Sequence, residues 1–220
     1  MNFYHSDIAY KLTDPLSFTT DINTYLKQER ELLLSLVGSF HTIIEAGCTR
    51  GHYTQLITSI EKDYIGIDIA ARQIADAKHI YKDNKRAAFL CDDIQNIGEV
   101  FIKNRIPIEG SMLFFPFNCF GNLKEAAGVL AQVVALQIPF VIFTYANNSK
   151  SSIARSKYYQ ASGFDNLVPI SEKGGTLFTH QSGLHTIAYN ESWFKEIFYL
   201  MQIKYRCIPF GDIGKAYCNF

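Results

Sequence analysis

This 220-residue chain lacks several features by which function is often read. It has no net charge, with 21 Lys and Arg against 21 Asp and Glu, so a broadly basic nucleic-acid footprint is excluded as the default. It has no paired-cysteine framework. Its five Cys, at 48, 91, 119, 207 and 218, are odd in number, scattered, and without metal-ligand spacing, which points to reduced thiols in a cytoplasmic setting rather than to disulfides or zinc. The six His also lack ligand spacing, so no metal is expected. No basic-then-apolar leader opens the chain. The longest apolar stretch, 129–145, is broken by Gln132, Gln137 and Pro139 and is too short to span a bilayer. What is abundant is apolar and aromatic material: 48% hydrophobic residues, including 17 Phe and 13 Tyr, enough for a substantial core and against disorder.

Residues 1–20 read as an extended or partly helical arm. Asp21 is placed to N-cap a helix from Ile22 to about Gly38, with Leu26, Leu33 and Leu36 as its apolar stripe. Short apolar strands then alternate with helices: strands at 41–46, 64–68, 87–91, 111–115 and 140–145, and helices at 52–60, 71–82, 98–104 and 123–137. This alternation predicts a parallel sheet covered on both faces. Beyond Tyr145 the pattern changes. A helix at 148–159 precedes two alternating runs, 175–180 and 184–189, joined by Gln181-Ser-Gly183 as a hairpin. A helix at 192–201 and strands at 203–209 and 215–220 close the chain. The expected organisation is an arm and helix over 1–38 and an α/β domain over 39–220, with 163–190 inserted as a small β-hairpin.

The most informative segment is Glu45-Ala-Gly47-Cys-Thr49-Arg-Gly51, an acidic strand end followed by a glycine loop that opens a helix. Gly47 and Gly51 allow close backbone approach to a ligand, and Glu45 can accept hydrogen bonds from a cationic amine. Asp68 closes the second strand, where a carboxylate can take both hydroxyls of a ribose.

At these residues the chain resembles the class I S-adenosylmethionine-dependent methyltransferases. Their first motif, acidic-x-Gly-x-Gly-x-Gly, is matched at Glu45, Gly47 and Gly51, with Thr49 replacing the middle glycine and stiffening the loop. The family's acidic residue after the second strand matches Asp68. Its residue facing the adenine amine matches Asp93, with Asp92 as the alternative. The resemblance covers roughly residues 30–220. It implies a Rossmann-like, doubly wound, mostly parallel seven-stranded sheet with an antiparallel last strand. It implies S-adenosylmethionine as donor, with S-adenosylhomocysteine as product, bound by Glu45, Gly47, Cys48, Gly51, Asp68, Ile69, Asp93, Ile94 and Phe117. In this loop Cys48 reads as a small packing residue rather than a nucleophile.

The end of the fourth strand, Phe114-Phe-Pro-Phe-Asn118, is similar to the family's fourth motif. It nominates Phe117 and Asn118 beside the transfer centre, and it is not the Asn-Pro-Pro-Tyr motif of nucleobase amino-methylation. The arm's Tyr4, His5 and Tyr10 are candidates to fold over the donor. Phe178 and Tyr189 would give the hairpin an apolar lid, placing Tyr4, Tyr10, Phe117, Asn118 and Phe178 around the acceptor. His180 and His185 are the candidate general bases, whereas His41, His52 and His79 read as surface or core residues.

A nicotinamide dehydrogenase requires G-x-G-x-x-G, which this loop does not supply, and Glu45 is a poor neighbour for a pyrophosphate. No phosphate-binding G-x-x-x-x-G-K-[ST] loop occurs either. The expectation is methyl transfer to a small-molecule acceptor by a monomer or homodimer. The alternatives are a protein or RNA acceptor, or a donor-binding module without catalysis.

Overall fold

The structure, a computed structural model, describes residues 3–5 and 7–220; the side chains of His5, Asp7 and Ile8 are outside the description. The arm is a series of short turns, including α1 (Asp7–Tyr10) and single 3₁₀ turns at Phe3–His5, Lys11–Thr13 and Pro15–Ser17. Helix α2 spans Thr20–Leu36. Its N-cap is Thr19, whose Oγ1 accepts from Ile22 N, and not Asp21, which falls inside the first turn and complements the helix dipole there.

The alternating region follows in the expected order: β1 (Thr42–Ala46), α3 (Thr54–Thr58), β2 (Asp63–Asp68), α4 (Ala71–Ile80), β3 (Ala87–Cys91), α5 (Ile97–Asn104), β4 (Ser111–Phe115), α6 (Ala126–Ala135) and β5 (Phe140–Tyr145). Then come α7 (Ser149–Ala161), β6 (Ile170–Glu172), β7 (Gly175–Thr179), β8 (His185–Tyr189), α8 (Glu191–Leu200), β9 (Arg206–Phe210) and β10 (Gly214–Cys218).

Seven strands form one sheet in the order β3-β2-β1-β4-β5-β10-β9. The strands β1 to β5 pair in parallel, and β10 is antiparallel to both β5 and β9. Period-two alternation sends Ile43, Met112, Phe114, Val141 and Phe143 to one face and Ile44, Leu113, Phe115, Phe140 and Ile142 to the other. The first face is covered by α2, α3, α4 and α7, the second by α5, α6 and α8. Strands buried on both sides have no polar face, so they read as continuous apolar runs. Each fully buried Ile or Phe contributes roughly 1.5–3 kcal/mol.

The order reverses between β1 and β4, which opens a crevice beyond their carboxyl ends. The inserted unit is a three-stranded antiparallel sheet, β6-β7-β8, rather than a two-stranded hairpin. Among the described residues no helix is long and apolar enough to cross a membrane.

Candidate functional site

The loop after β1 is wound by three residues with positive φ: Gly47 at 77°, Thr49 at 50° and Gly51 at 78°. Gly47 N and Cys48 N donate to Ile67 O at 2.8 and 3.1 Å, tying the loop to β2. A β-carbon at Gly47 would collide with Cys119 Sγ, so a side chain is excluded there on steric as well as torsional grounds. Asp68 fastens the same loop from below: its Oδ2 accepts from Thr49 N at 2.8 Å and its Oδ1 from Ala70 N at 2.8 Å. Glu45 is buried and accepts from Tyr64 OH at 2.5 Å. Burial pushes its carboxyl well above the usual range, against the lowering effect of the Tyr64 bond.

These groups open onto a cavity of about 400 Å³ at the carboxyl ends of the central strands. Glu45, Gly47, Asp68 and Ile69 line it from β1 and β2, and Asp93 and Ile94 from the segment after β3. Asp93 caps the 3₁₀ turn Ile94–Asn96 through Gln95 N at 3.0 Å, whereas Asp92 points away and pairs with Lys103 at 2.9 Å. Phe117, Asn118, Tyr4 and the exposed His185 also line the cavity.

Other sequence candidates are placed elsewhere. Cys48 is fully buried, with Sγ in the space a β-carbon at Gly66 would need; burial, with Glu45 and Asp68 nearby, raises its thiol pKa well above normal. Gly51 turns the chain into α3 against Phe89. Tyr10 carries the guanidinium carbons of Arg50 and Arg72 over its ring at 4.8 and 5.7 Å. Phe178 lies on the inward face of β7, packed under Arg155 and against Tyr159, because alternation along the strand turns it toward α7. Tyr189 stacks on Trp193 with centroids 4.0 Å apart. His180 fixes the hairpin turn, its Nδ1 accepting from Ser182 N at 3.2 Å and lying 2.8 Å from Ser182 Oγ. His5, through its side chain, lies outside the described residues.

Asn118, nominated beside the transfer centre, has its amide committed to structure. Nδ2 donates to Thr186 Oγ1 at 3.2 Å and Ile187 O at 3.1 Å, while Oδ1 accepts from Thr144 Oγ1 at 2.7 Å. It therefore ties the β4 end to β5 and β8.

Several residues lining or backing the cavity are not visible in the sequence pattern. His52, expected at the surface or in the core, lines the cavity; its Nε2 has no hydrogen-bond partner among the described residues, and burial lowers its pKa to about 4. Burial pushes the Glu29 carboxyl up to about 7, although it accepts from Tyr53 OH and from Phe117 N at 3.0 Å. Arg155, also buried, donates to Thr176 O at 2.9 Å and Thr186 O at 3.0 Å, and its guanidinium carbon sits 5.1 Å from the Tyr145 centroid. The available signal was a charged residue on an apolar helical stripe: Glu29 among Ile22, Tyr25, Leu26 and Leu33, and Arg155 between Ala154 and Tyr158. Among the described residues no group of three or more His, Cys, Asp or Glu is placed to hold a metal ion.

No family model matches the sequence, and no curated protein is significantly similar to it. Solved structures are similar in fold. Magnesium protoporphyrin IX methyltransferase from Synechocystis, with bound SAH, has a TM-score of 0.63 at 9% identity over 98% of this chain and 95% of that one. A SAM-dependent methyltransferase from Aquifex aeolicus has a TM-score of 0.60 at 14% identity, over 97% of each chain. The 1,6-didemethyltoxoflavin-N1-methyltransferase from Burkholderia thailandensis, with bound 1,6-didemethyltoxoflavin and S-adenosylhomocysteine, has a TM-score of 0.61 at 12% identity, over 99% of this chain and 87% of that one. With its strand order and reversed last strand, the chain has the Rossmann-like fold of the class I S-adenosylmethionine-dependent methyltransferases.

Proposed function

We propose that this protein is an S-adenosylmethionine-dependent methyltransferase acting on a small-molecule acceptor. The observation that carries the reading is the convergence of Glu45, Gly47, Asp68 and Asp93 on one cavity beyond the strand ends. The residues present fit the donor. Gly47 leaves a side-chain-free cradle, and Thr49 Oγ1 and Gln73 Oε1, on cavity-lining residues, are buried without partners among the described residues. Such atoms gain most from a polar ligand. Asp68 would hold the ribose hydroxyls, Asp93 the adenine amine, Glu45 with the loop the donor's ammonium, and Arg30 its carboxylate.

When bound, the sulfonium supplies a methyl group already activated for in-line displacement, the electron pair of the broken bond staying on sulfur. The protein's own contribution is then alignment and exclusion of water. Phe3, Tyr4, Leu12 and Phe18 of the arm and Gly183 to Thr186 of the inserted sheet line the cavity and enclose it. An acceptor with a free lone pair needs no base. One that must lose a proton has the neutral imidazole of His52 and the exposed His185 within the lining.

The cavity volume is at the low end for ligand sites and must serve donor and acceptor together, which favours a small acceptor over a protein or RNA. The Synechocystis and Burkholderia proteins are likewise named for small acceptors, a protoporphyrin and a didemethyltoxoflavin.

Calorimetry with S-adenosylmethionine and S-adenosylhomocysteine tests the donor site, and transfer of labelled methyl into a metabolite extract tests catalysis. Binding of both and a labelled low-mass product are expected. Binding of neither overturns the reading, and binding without transfer leaves the module without catalysis as the function.

A further inference from the structure

The acceptor end of the cavity is built from rings. Phe117, displayed on a residue with φ of 45°, has the centroids of Tyr158, Phe18 and Tyr145 at 5.5, 5.8 and 6.1 Å. All four residues line the cavity. Their planes meet at 56–64°, so no pair of these rings is stacked face to face.

The charges around this box act against ions of either sign. Arg155 lies behind it, its guanidinium carbon 5.1 Å from the Tyr145 centroid and 5.8 Å from that of Tyr159. It is buried, with no carboxylate partner among the described residues, so its charge opposes a second cation in front of the same rings. Four of its five N–H groups are directed to Thr176 O, Thr186 O and Tyr159 OH, so its donors serve mostly the inserted sheet and the Tyr159 phenol. On the other side, the Glu29 carboxyl accepts from Phe117 N directly beneath the box. An anion would lose its hydration here beside a carboxyl group and would meet the Arg155 charge only across the Tyr145 ring, without a direct hydrogen bond in return. Arg30, one of two Lys or Arg residues lining the cavity among the described residues, stands instead over Tyr53 at 5.5 Å; the other is Lys124, on the segment leading to α6.

One polar atom of the box is unsatisfied. Tyr145 Oη is buried and has no hydrogen-bond partner among the described residues, and burial holds the phenol well above its usual pKa, hence neutral. A neutral hydroxyl can accept from, or donate to, a ligand hydroxyl or N–H.

We propose that the acceptor is a flat, uncharged aromatic compound carrying a hydroxyl or N–H group, its ring held among Phe18, Phe117 and Tyr158 and its polar atom bonded to Tyr145 Oη. The proposal rests on the methyltransferase reading above and narrows its substrate.

The experiment uses the full chain in two stages. Calorimetry with S-adenosylhomocysteine comes first, and absence of binding there removes the methyltransferase reading itself. The protein saturated with S-adenosylhomocysteine is then titrated with three matched bicyclic probes: a hydroxyquinoline, a quinoline carboxylate, and a naphthalene bearing an alkylammonium arm. The hydroxyquinoline is expected to bind at least about tenfold more tightly than either ion, and Tyr145→Phe is expected to weaken it about tenfold with S-adenosylhomocysteine affinity unchanged. Preference for either charged probe, no binding of the hydroxyquinoline, or indifference to Tyr145→Phe overturns the acceptor assignment while leaving the donor reading standing.

Discussion

The backbone N–H of Thr49 donates to Asp68 Oδ2 at 2.8 Å, so one carboxylate both shapes the glycine loop and lines the cavity beneath it. Removing it acts on two levels. Asp68→Ala frees the Thr49 and Ala70 amides and deletes the proposed acceptor for the ribose. Loss of charge-assisted bonds of this kind corresponds to roughly 10- to 100-fold in affinity. Calorimetry with S-adenosylhomocysteine is the measurement, and unchanged affinity would refute the role of Asp68. Glu45→Ala is expected to weaken binding in the same assay.

Thr49 occupies the left-handed region at φ 50°, where a β-branched residue is strained. Thr49→Gly should relieve up to about 1 kcal/mol and raise the melting temperature by roughly 2–4 °C for a chain of this size. Thr49→Ala keeps a β-carbon and should give no comparable rise. Thermal unfolding of the pair separates torsional strain from the effect of the hydroxyl.

Gly47 is constrained by a neighbour as well as by its torsion. Gly47→Ala should cost about 1–3 kcal/mol, because the new methyl meets Cys119 Sγ, and should displace the loop and weaken S-adenosylhomocysteine binding. Cys119→Ala in the same chain is expected to restore part of both losses, and the double-mutant cycle in unfolding free energy measures that coupling. A coupling of zero would mean that the collision is not the cause.

The sequence made β1 to β5 legible because their burial on two faces removes polar alternation, and the acidic residues Glu45, Asp68 and Asp93, the last nominated through the family resemblance, all line one cavity. Asn118 lines the cavity where it was expected, but its amide is bonded to residues 26 to 69 positions away, beyond the reach of any local pattern. Glu29 meets Phe117 across 88 residues, a contact no local pattern encodes. Phe178 was misread because an alternating strand shows which residues share a face but not which face meets the ligand. The short β6 is exposed along all three residues and so has no apolar pattern to detect. Thr19 and Asp21 are both good caps two positions apart, and only the hydrogen bond distinguishes them.

Arg155 braces the inserted sheet behind the Tyr145 ring, and in the proposed acceptor site it acts as a positioning residue. Arg155→Met fills most of the space but leaves Thr176 O and Thr186 O, one on β7 and one on β8, without their donor. Faster amide exchange across residues 175–189 is expected, together with a raised acceptor KM and an unchanged affinity for S-adenosylhomocysteine. Exchange no faster than in the unaltered chain would show that the inserted sheet does not depend on this side chain.

Two buried groups impose opposite pH dependences on stability. Burial pushes the Glu29 carboxyl from its ordinary value near 4.5 up to about 7, so between these values the folded state holds a proton that the unfolded chain has released. Stability from this group is fully present below pH 4.5 and is lost as the pH rises through about 7. His52 runs the other way. Burial, with the Arg50 and Arg30 charges, lowers it from 6.5 to about 4, so its contribution is present above pH 6.5 and is lost as the pH falls toward 4. In the intact protein the two slopes partly cancel between pH 4.5 and 6.5. Glu29→Gln should therefore gain stability relative to the unaltered chain as the pH rises from 5 to 8, by an amount on the order of a few kcal/mol. His52→Gln should lose the acid-side decline and show a flatter profile below pH 6.5. Urea midpoints measured across pH 4 to 8 decide both; parallel profiles for a variant and the unaltered chain would remove that residue as a source of the pH dependence.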